Sequence, residues 1–73
     1  PLTARIVSLA DTYDALRSAR QYKPGKTHAE TVEIIKIDDR TGLRGEERFG
    51  PDVMEIFMTH HSAFQAIYES MQE

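Results

Sequence analysis

Two carboxylates and two cations stand close together early in this chain. Asp11 and Asp14 are three residues apart, so a helix would place both on one side within a single turn. Arg20 and Lys23 follow within a few residues of them. Such carboxylates bind hard cations such as Mg²⁺ or Mn²⁺, and Asp also joins His ligands around Fe or Zn. A metal beside these cations suits phosphodiester cleavage, because the metal lowers the pKa of a bound water while the cations orient the phosphate.

Each part of this cluster also has a simpler interpretation. Pairs of Asp residues on helix surfaces are common and are more often solvated than bound to a metal. Residues 17–26 contain four cations, and cations at the end of a helix stabilise its negative dipole end by about 0.3–1 kcal/mol. From the residues alone, a metal and phosphate site and a solvated helix end both stay open.

A helix over about residues 2–18 must position the two carboxylates. Apolar side chains recur there at spacings of three and four, which is the period of one helix face. Pro1 suits the first turn, where its missing N–H is not needed. The residues predicted to form this face, widened by Val7 and Ala10, are Leu2, Ile6, Leu9, Tyr13 and Leu16.

Two further helices are predicted downstream. Thr27 followed by Glu30 three residues later is a capping-box pattern, which predicts a helix over about 28–38. Pro51 with Asp52 is typical of a helix start and predicts a third helix over about 51–71. The core side of the second helix is expected to carry Ala29, Val32, Ile34 and Ile35, and that of the third Val53, Ile56, Phe57, His60, Phe64, Ile67 and Met71.

The segment between the second and third helices, residues 39–50, has two interior glycines and many charges without a clear period. This composition predicts an exposed loop in which Arg40, Arg44 and Arg48 are solvated. No segment shows a strand pattern of comparable strength. The predicted fold class is therefore all-α, with three helices.

The pair of histidines on the third helix is not expected to bind metal. His60 and His61 are adjacent, and adjacent residues point about 100° apart on a helix, so they rarely share one ion. His60 continues the apolar face of the third helix and is predicted to be packed in the core. His28 follows the cap residue of the second helix and is predicted to lie in solvent.

Size and composition limit the function classes. The 73 residues include no cysteine, which excludes thiol catalysis, disulfides and Cys-based zinc sites. Their net charge of −3 gives no support to binding of nucleic-acid polymers. No apolar run reaches the length of a membrane span, and the default compartment is the cytosol. A domain this small is marginal without disulfides or metal. We therefore expect a fragment of a longer protein that self-associates through an uncovered apolar face, with helix exchange between chains as one route.

The run PLTARIVSLADTYDALRSARQYKPGKTHAETVEII, residues 1–35, closely resembles the C-terminal third of HD-GYP domains, a branch of the HD metal-dependent phosphohydrolases. The family elements P-L-x-A-R-I, A-D-x-x-D-A-L and R-x-Y-K correspond to residues 1–6, 10–16 and 20–23. A looser similarity covers residues 48–58.

This resemblance implies a partial HD-type helical domain, hydrolysis of cyclic di-GMP in bacterial signalling and a cluster of two or three divalent metal ions, often iron or manganese. It aligns Asp11 with the family's final metal-ligand Asp. Arg20 and Lys23 align with residues that contact the substrate phosphate. Asp14 aligns with a supporting acid near them, and Tyr22 would help to shape the same segment.

The family's His-Asp dyad, its other histidine ligands and its G-Y-P loop lie upstream of the matched region and are absent from this sequence. Gln21 stands where the family usually has Pro, and Gly50 where an Asp is common. We therefore expect residues 1–73 to be the C-terminal piece of one HD-GYP-like domain, inactive and without bound metal on its own. Two other hypotheses stay open: a degenerate, non-catalytic signalling module that binds nucleotide or partner helices, and a small helical association domain stabilised as an oligomer.

Overall fold

The computed structural model describes residues 1–18, 24–37 and 41–71. Most of this part is helical: α1 is Leu2–Arg17, α2 is His28–Lys36, α3 is Gly45–Phe49 and α4 is Pro51–Ser70. The described part has no strand, and its β-type pairing is an isolated antiparallel bridge between Ile37 and Arg44. The predicted all-α class is confirmed, and the three predicted helices are found within one or two residues of their expected bounds.

The helix starts follow their predicted chemistry. The Thr27 hydroxyl accepts a bond from the Glu30 backbone N–H at 3.1 Å, while the Glu30 carboxylate accepts one from the Thr27 N–H at 2.9 Å. These two bonds satisfy donors that the first turn of α2 would otherwise leave unpaired. Pro51 occupies the first turn of α4, where no N–H is required.

The predicted loop over residues 39–50 is wrong for residues 45–49, which form α3. Phe49 is buried at the end of this short helix, and the Arg44 backbone N–H donates to the Glu47 carboxylate at 3.1 Å at its start. One helical turn is too short to show an apolar period, so the pattern gave no helix signal there. Arg44 is exposed as predicted, Arg48 is half-buried with its guanidinium over the Phe49 ring, and Arg40 lies outside the described residues.

All four helices contribute to one core. Tyr13 lies near its centre, with its ring edge-on to Phe57, Phe64 and Tyr68 at centroid distances of 5.7–6.5 Å. Such edge-to-face pairs add to the free energy of apolar burial. The buried apolar residues are Leu9, Tyr13, Val32, Ile35, Phe49, Val53, Met54 and Phe57, with Ile6, Leu16, Phe64 and Tyr68 packed against them.

The predicted apolar faces are only partly buried. On α4 the prediction is confirmed for Val53, Phe57 and Phe64. Met54, His61 and Tyr68, which were not predicted, also face inward. Helices α1 and α4 each carry apolar residues on two sides, and a periodic pattern does not tell which side the other helices cover. The predicted core residues that are exposed instead are Leu2, Val7, Ala29, Ile56, His60, Ile67 and Met71.

Among the described helices, none combines the length and apolar character that crossing a membrane requires.

Candidate functional site

Helix α1 presents the two predicted carboxylates to solvent. Leu9 and Tyr13 are buried on one side of α1, and Asp11 lies midway between them in sequence, which places it on the opposite side. The side chains of Asp11 and Asp14 are both exposed. Val7 lies on this same side and is 52% exposed. We call these three residues, Val7, Asp11 and Asp14, the outer face of α1.

The described residues do not by themselves make a metal centre. Within residues 1–18, 24–37 and 41–71 there is no group of three or more His, Asp or Glu side chains arranged to hold an ion. Asp11 and Asp14 offer at most two carboxylates, whereas a bound divalent metal takes several protein ligands. A metal at the outer face of α1 would therefore need further ligands from another segment.

The structure fixes the two ends of the connector between α1 and α2. The Lys26 backbone N–H donates to the Leu16 carbonyl oxygen at 2.9 Å, and the Ser18 N–H donates to the Asp14 carbonyl at 3.0 Å. The chain thus leaves the last turn of α1 and returns beside it, at the same end of the helix as Asp14. The predicted substrate residues Arg20 and Lys23 and the predicted supporting Tyr22 lie outside the described residues, and their roles stay predictions.

A partly buried polar chain that the sequence did not suggest links the buried Tyr13 to three half-buried side chains. The Arg17 guanidinium donates to the Tyr13 hydroxyl at 2.8 Å, and this hydroxyl is 2.8 Å from Nδ1 of His28. Nε2 of His28 is in turn 2.9 Å from Nδ1 of His61. We call Arg17, Tyr13, His28 and His61 the polar chain. It connects α1, α2 and α4.

The predictions that His28 lies in solvent and that His60 is packed in the core were both wrong. Contacts with neighbouring helices, rather than position along the helix, determine where these side chains lie. His28 begins α2, yet its ring packs edge-on against Tyr13 at 5.7 Å and is half-buried. His60 is exposed, and its neighbour His61 turns inward to His28 and Phe57. A buried tyrosine needs a partner for its hydroxyl, and this requirement at Tyr13 was the signal that could have revealed the chain.

Electrostatics favours the neutral form of His28. Burial lowers the pKa of its imidazole below the ordinary value of about 6.5, and the neighbouring His61 and Arg17 lower it further. The carboxylate of Glu69 acts in the opposite direction. Glu69 accepts a bond from Arg17 at 3.2 Å and one from Gln65 at 3.2 Å.

A second polar contact joins the start of α1 to the start of α4. The Arg5 guanidinium holds both oxygens of Asp52, at 2.6 and 3.1 Å, and also donates to the Phe49 carbonyl oxygen at 3.1 Å. This guanidinium lies against Gly50, where a Cβ atom would collide with it. The φ of 93° at Gly50 also favours glycine. Hydrogen bonding to Arg5 lowers the pKa of Asp52. Arg5 is the arginine of the P-L-x-A-R-I element, and its observed contacts are structural.

Comparison with known proteins finds similarity to two proteins whose names refer to cyclic di-GMP. A Vibrio cholerae serotype O1 protein named "Cyclic di-GMP phosphodiesterase" is 42% identical over 68 residues, which are 92% of this chain and 12% of that protein. A second Vibrio cholerae protein, named "Probable cyclic di-GMP phosphodiesterase", is 38% identical over 65 residues, which are 88% of this chain and 13% of that protein.

The chain therefore spans about an eighth of the length of these curated relatives. Any stretch of 65 or 68 residues within a chain of 73 contains residues 11–14. Both Asp11 and Asp14 therefore lie inside the region that is similar to these proteins. No family model matches the chain, and no solved structure matches it.

Proposed function

We propose that this chain is the C-terminal segment of an HD-GYP-type, metal-dependent phosphohydrolase that cleaves cyclic di-GMP or a related phosphodiester in bacterial cytoplasmic signalling. The observation that carries the proposal is the 42% identity to a protein named as a cyclic di-GMP phosphodiesterase, across a region that includes Asp11 and Asp14. The exposed outer face of α1 supports it, because a carboxylate that completes a metal centre with another segment has to face away from its own core.

In this proposal Asp11 is the metal ligand of the segment, and the other ligands come from upstream parts of the longer protein. The metal, iron or manganese, would supply Lewis acidity and an activated water when bound. Asp14 supports the site from the same side of α1, within one turn of Asp11. Arg20 and Lys23 bind the substrate phosphate, since a guanidinium grips phosphate in a fork and an ammonium adds a point charge. Tyr22 shapes the connector that carries them.

A second function for the same surface is that of a non-catalytic signalling module that binds nucleotide or partner helices. The enzymatic proposal also places the remaining metal ligands upstream, so the described residues alone do not separate the two functions. This alternative predicts that the upstream histidine and aspartate ligand positions of the parent protein are replaced by other residues.

A segment exchange tests the enzymatic proposal. This chain replaces the matching 68 residues of the 42% identical Vibrio cholerae protein, and hydrolysis of cyclic di-GMP is followed by chromatography of the products. We expect the chimaera to be active and Asp11→Asn to reduce its rate by about 100-fold or more, because replacing even an outer-shell partner of a metal ligand typically costs about 10–100-fold. Metal content, measured on the same samples, should fall together with activity.

Glu33→Gln is the matched control, since Glu33 is an exposed carboxylate on α2 that pairs with Lys36. It should leave hydrolysis and metal content unchanged. The 73-residue chain alone should not hydrolyse cyclic di-GMP above the blank. An Asp11→Asn chimaera that keeps full activity and full metal content would overturn the assignment of Asp11.

A further inference from the structure

We propose that the polar chain is a pH-sensitive latch, which holds α2 against α1 and α4 while the His28 imidazole is neutral and releases α2 when His28 takes up a proton. The inference goes beyond the proposed function and does not depend on it. It concerns His28 and His61, which the phosphohydrolase proposal does not use, and it is testable in the absence of any substrate.

The direction of the hydrogen bonds follows from the donor groups. A guanidinium only donates, so Arg17 gives a proton to the Tyr13 hydroxyl oxygen. The tyrosine proton is then free to point at Nδ1 of His28, which accepts it. A neutral His28 with an unprotonated Nδ1 carries its proton on Nε2 and donates it to Nδ1 of His61. One assignment thus satisfies every bond with both rings neutral.

Added protons conflict with this arrangement. Protonation of His28 at Nδ1 removes the acceptor for the Tyr13 proton and makes the hydroxyl oxygen accept from two charged donors, Arg17 and His28. The contact that joins α2 to α1 then reverses its direction, the Tyr13 proton has no acceptor in it, and two cations lie on one hydroxyl oxygen.

The charges around His28 come from both helices that pack against it. Helix α1 contributes the Arg17 cation beside Tyr13, and α4 contributes His61 and the Glu69 carboxylate. Burial, His61 and Arg17 lower the pKa of His28, whereas Glu69 opposes them. Hydrogen bonds from Gln65 and Arg17 lower the pKa of Glu69, so this carboxylate stays ionised while His28 titrates.

The sign of the pH dependence follows from linkage. The unfolded chain binds a proton at His28 near pH 6.5, whereas the folded chain binds it only at lower pH. The stabilisation from neutral His28 is therefore complete above pH 6.5 and is lost as the pH falls through the lowered folded pKa. Stability should decline below neutrality, before the carboxylates begin to titrate.

The test combines nitrogen NMR of the imidazoles with thermal unfolding of the 73-residue chain. At pH 7.5 we expect the His28 Nδ1 resonance of an unprotonated nitrogen, and a His28 titration midpoint below that of an unfolded peptide. Between about pH 7.5 and 5.5, on either side of the ordinary histidine pKa, the Tm of the wild-type chain should fall by several degrees. His28→Gln should remove most of this fall, because the side chain no longer binds a proton.

His60→Gln is the control, since His60 is an exposed histidine directly beside His61 and lies outside the polar chain. Its Tm should show the wild-type pH dependence. If the Tm of the wild-type chain and that of His28→Gln fall equally between these two pH values, the latch proposal is overturned. If His28→Gln does not fold, the wild-type NMR decides, because a protonated Nδ1 at pH 7.5 or a midpoint at or above the unfolded value also overturns it.

Discussion

The role of a side chain in this molecule depends more on which helix side it occupies than on its chemistry. Tyr13 and Asp11 are two residues apart, yet one lies in the core with its hydroxyl bonded to Arg17 and His28, and the other is exposed on the outer face of α1. A helix separates residues two apart by about 200°. The same turn of α1 therefore contributes to the core and to the candidate site.

Thr31 offers a test of buried polarity at a single position. Its side chain is fully buried on α2, and its hydroxyl has no hydrogen-bond partner among the described residues. An unpaired buried polar group costs about 1–3 kcal/mol, and valine has nearly the same shape and helix propensity. Thr31→Val should therefore raise the free energy of unfolding by about 1 kcal/mol, measured by urea denaturation.

Thr59→Val provides the comparison for this substitution. Thr59 is an exposed helical threonine whose hydroxyl donates to the Glu55 carbonyl at 2.9 Å. Its replacement should change the free energy of unfolding by less than about 0.5 kcal/mol. A destabilised Thr31→Val chain would mean that the hydroxyl at this position has a partner, contrary to the geometry described.

The sequence predicted the elements better than it predicted their inward sides. Capping chemistry at Thr27 and Pro51 located two helix starts, since those signals depend only on neighbouring residues. The inward side of α4 was assigned correctly at Phe57 and Phe64 and wrongly at Ile56 and Ile67. The two isoleucines are as apolar as the two phenylalanines, and only tertiary packing selects between them. For the candidate site, the pattern placed Asp11 and Asp14 on one side of α1, but the polar chain needed the spatial approach of three helices.

Helix α3 has to lie close to α2, and Gly45 permits this approach. A Cβ atom at Gly45 would lie 2.5 Å from the Ile35 carbonyl oxygen and 2.6 Å from the Met54 sulfur. Met54 can move, but the backbone carbonyl of α2 cannot move without displacing that helix. Alanine has the higher helix propensity by about 1 kcal/mol, so propensity alone predicts that Gly45→Ala is stabilising.

The close contact predicts the opposite sign. We expect Gly45→Ala to lower the free energy of unfolding by about 1–3 kcal/mol, which is the usual cost of inserting atoms into a packed core. Urea denaturation measures this change. Glu46→Ala, at the exposed neighbouring position of α3, should stay within about 0.5 kcal/mol of the wild type. Stabilisation by Gly45→Ala would show that α3 is free to move away from α2.

For the whole molecule, the apolar residues that the core leaves uncovered are the important feature. Ile67 and Met71 near the end of α4 are 62% and 66% exposed, and Val7 on the outer face of α1 is 52% exposed. A chain of 73 residues buries a modest share of its surface, so every uncovered apolar side chain weighs heavily in its stability. These side chains are available to a further segment of a longer protein or to a second copy of this chain.

We therefore predict that the isolated chain self-associates through its exposed apolar side chains. In sedimentation velocity the weight-average sedimentation coefficient should rise with protein concentration. Ile67→Glu should shift the association to concentrations at least about tenfold higher, because a carboxylate in an apolar contact has to be desolvated. Ser62→Glu adds the same charge to an exposed position of α4, about 140° around the helix from Ile67, and should leave association unchanged. A compact monomer at every concentration would contradict the prediction, and equal effects of the two substitutions would show that net charge, rather than the Ile67 surface, controls association.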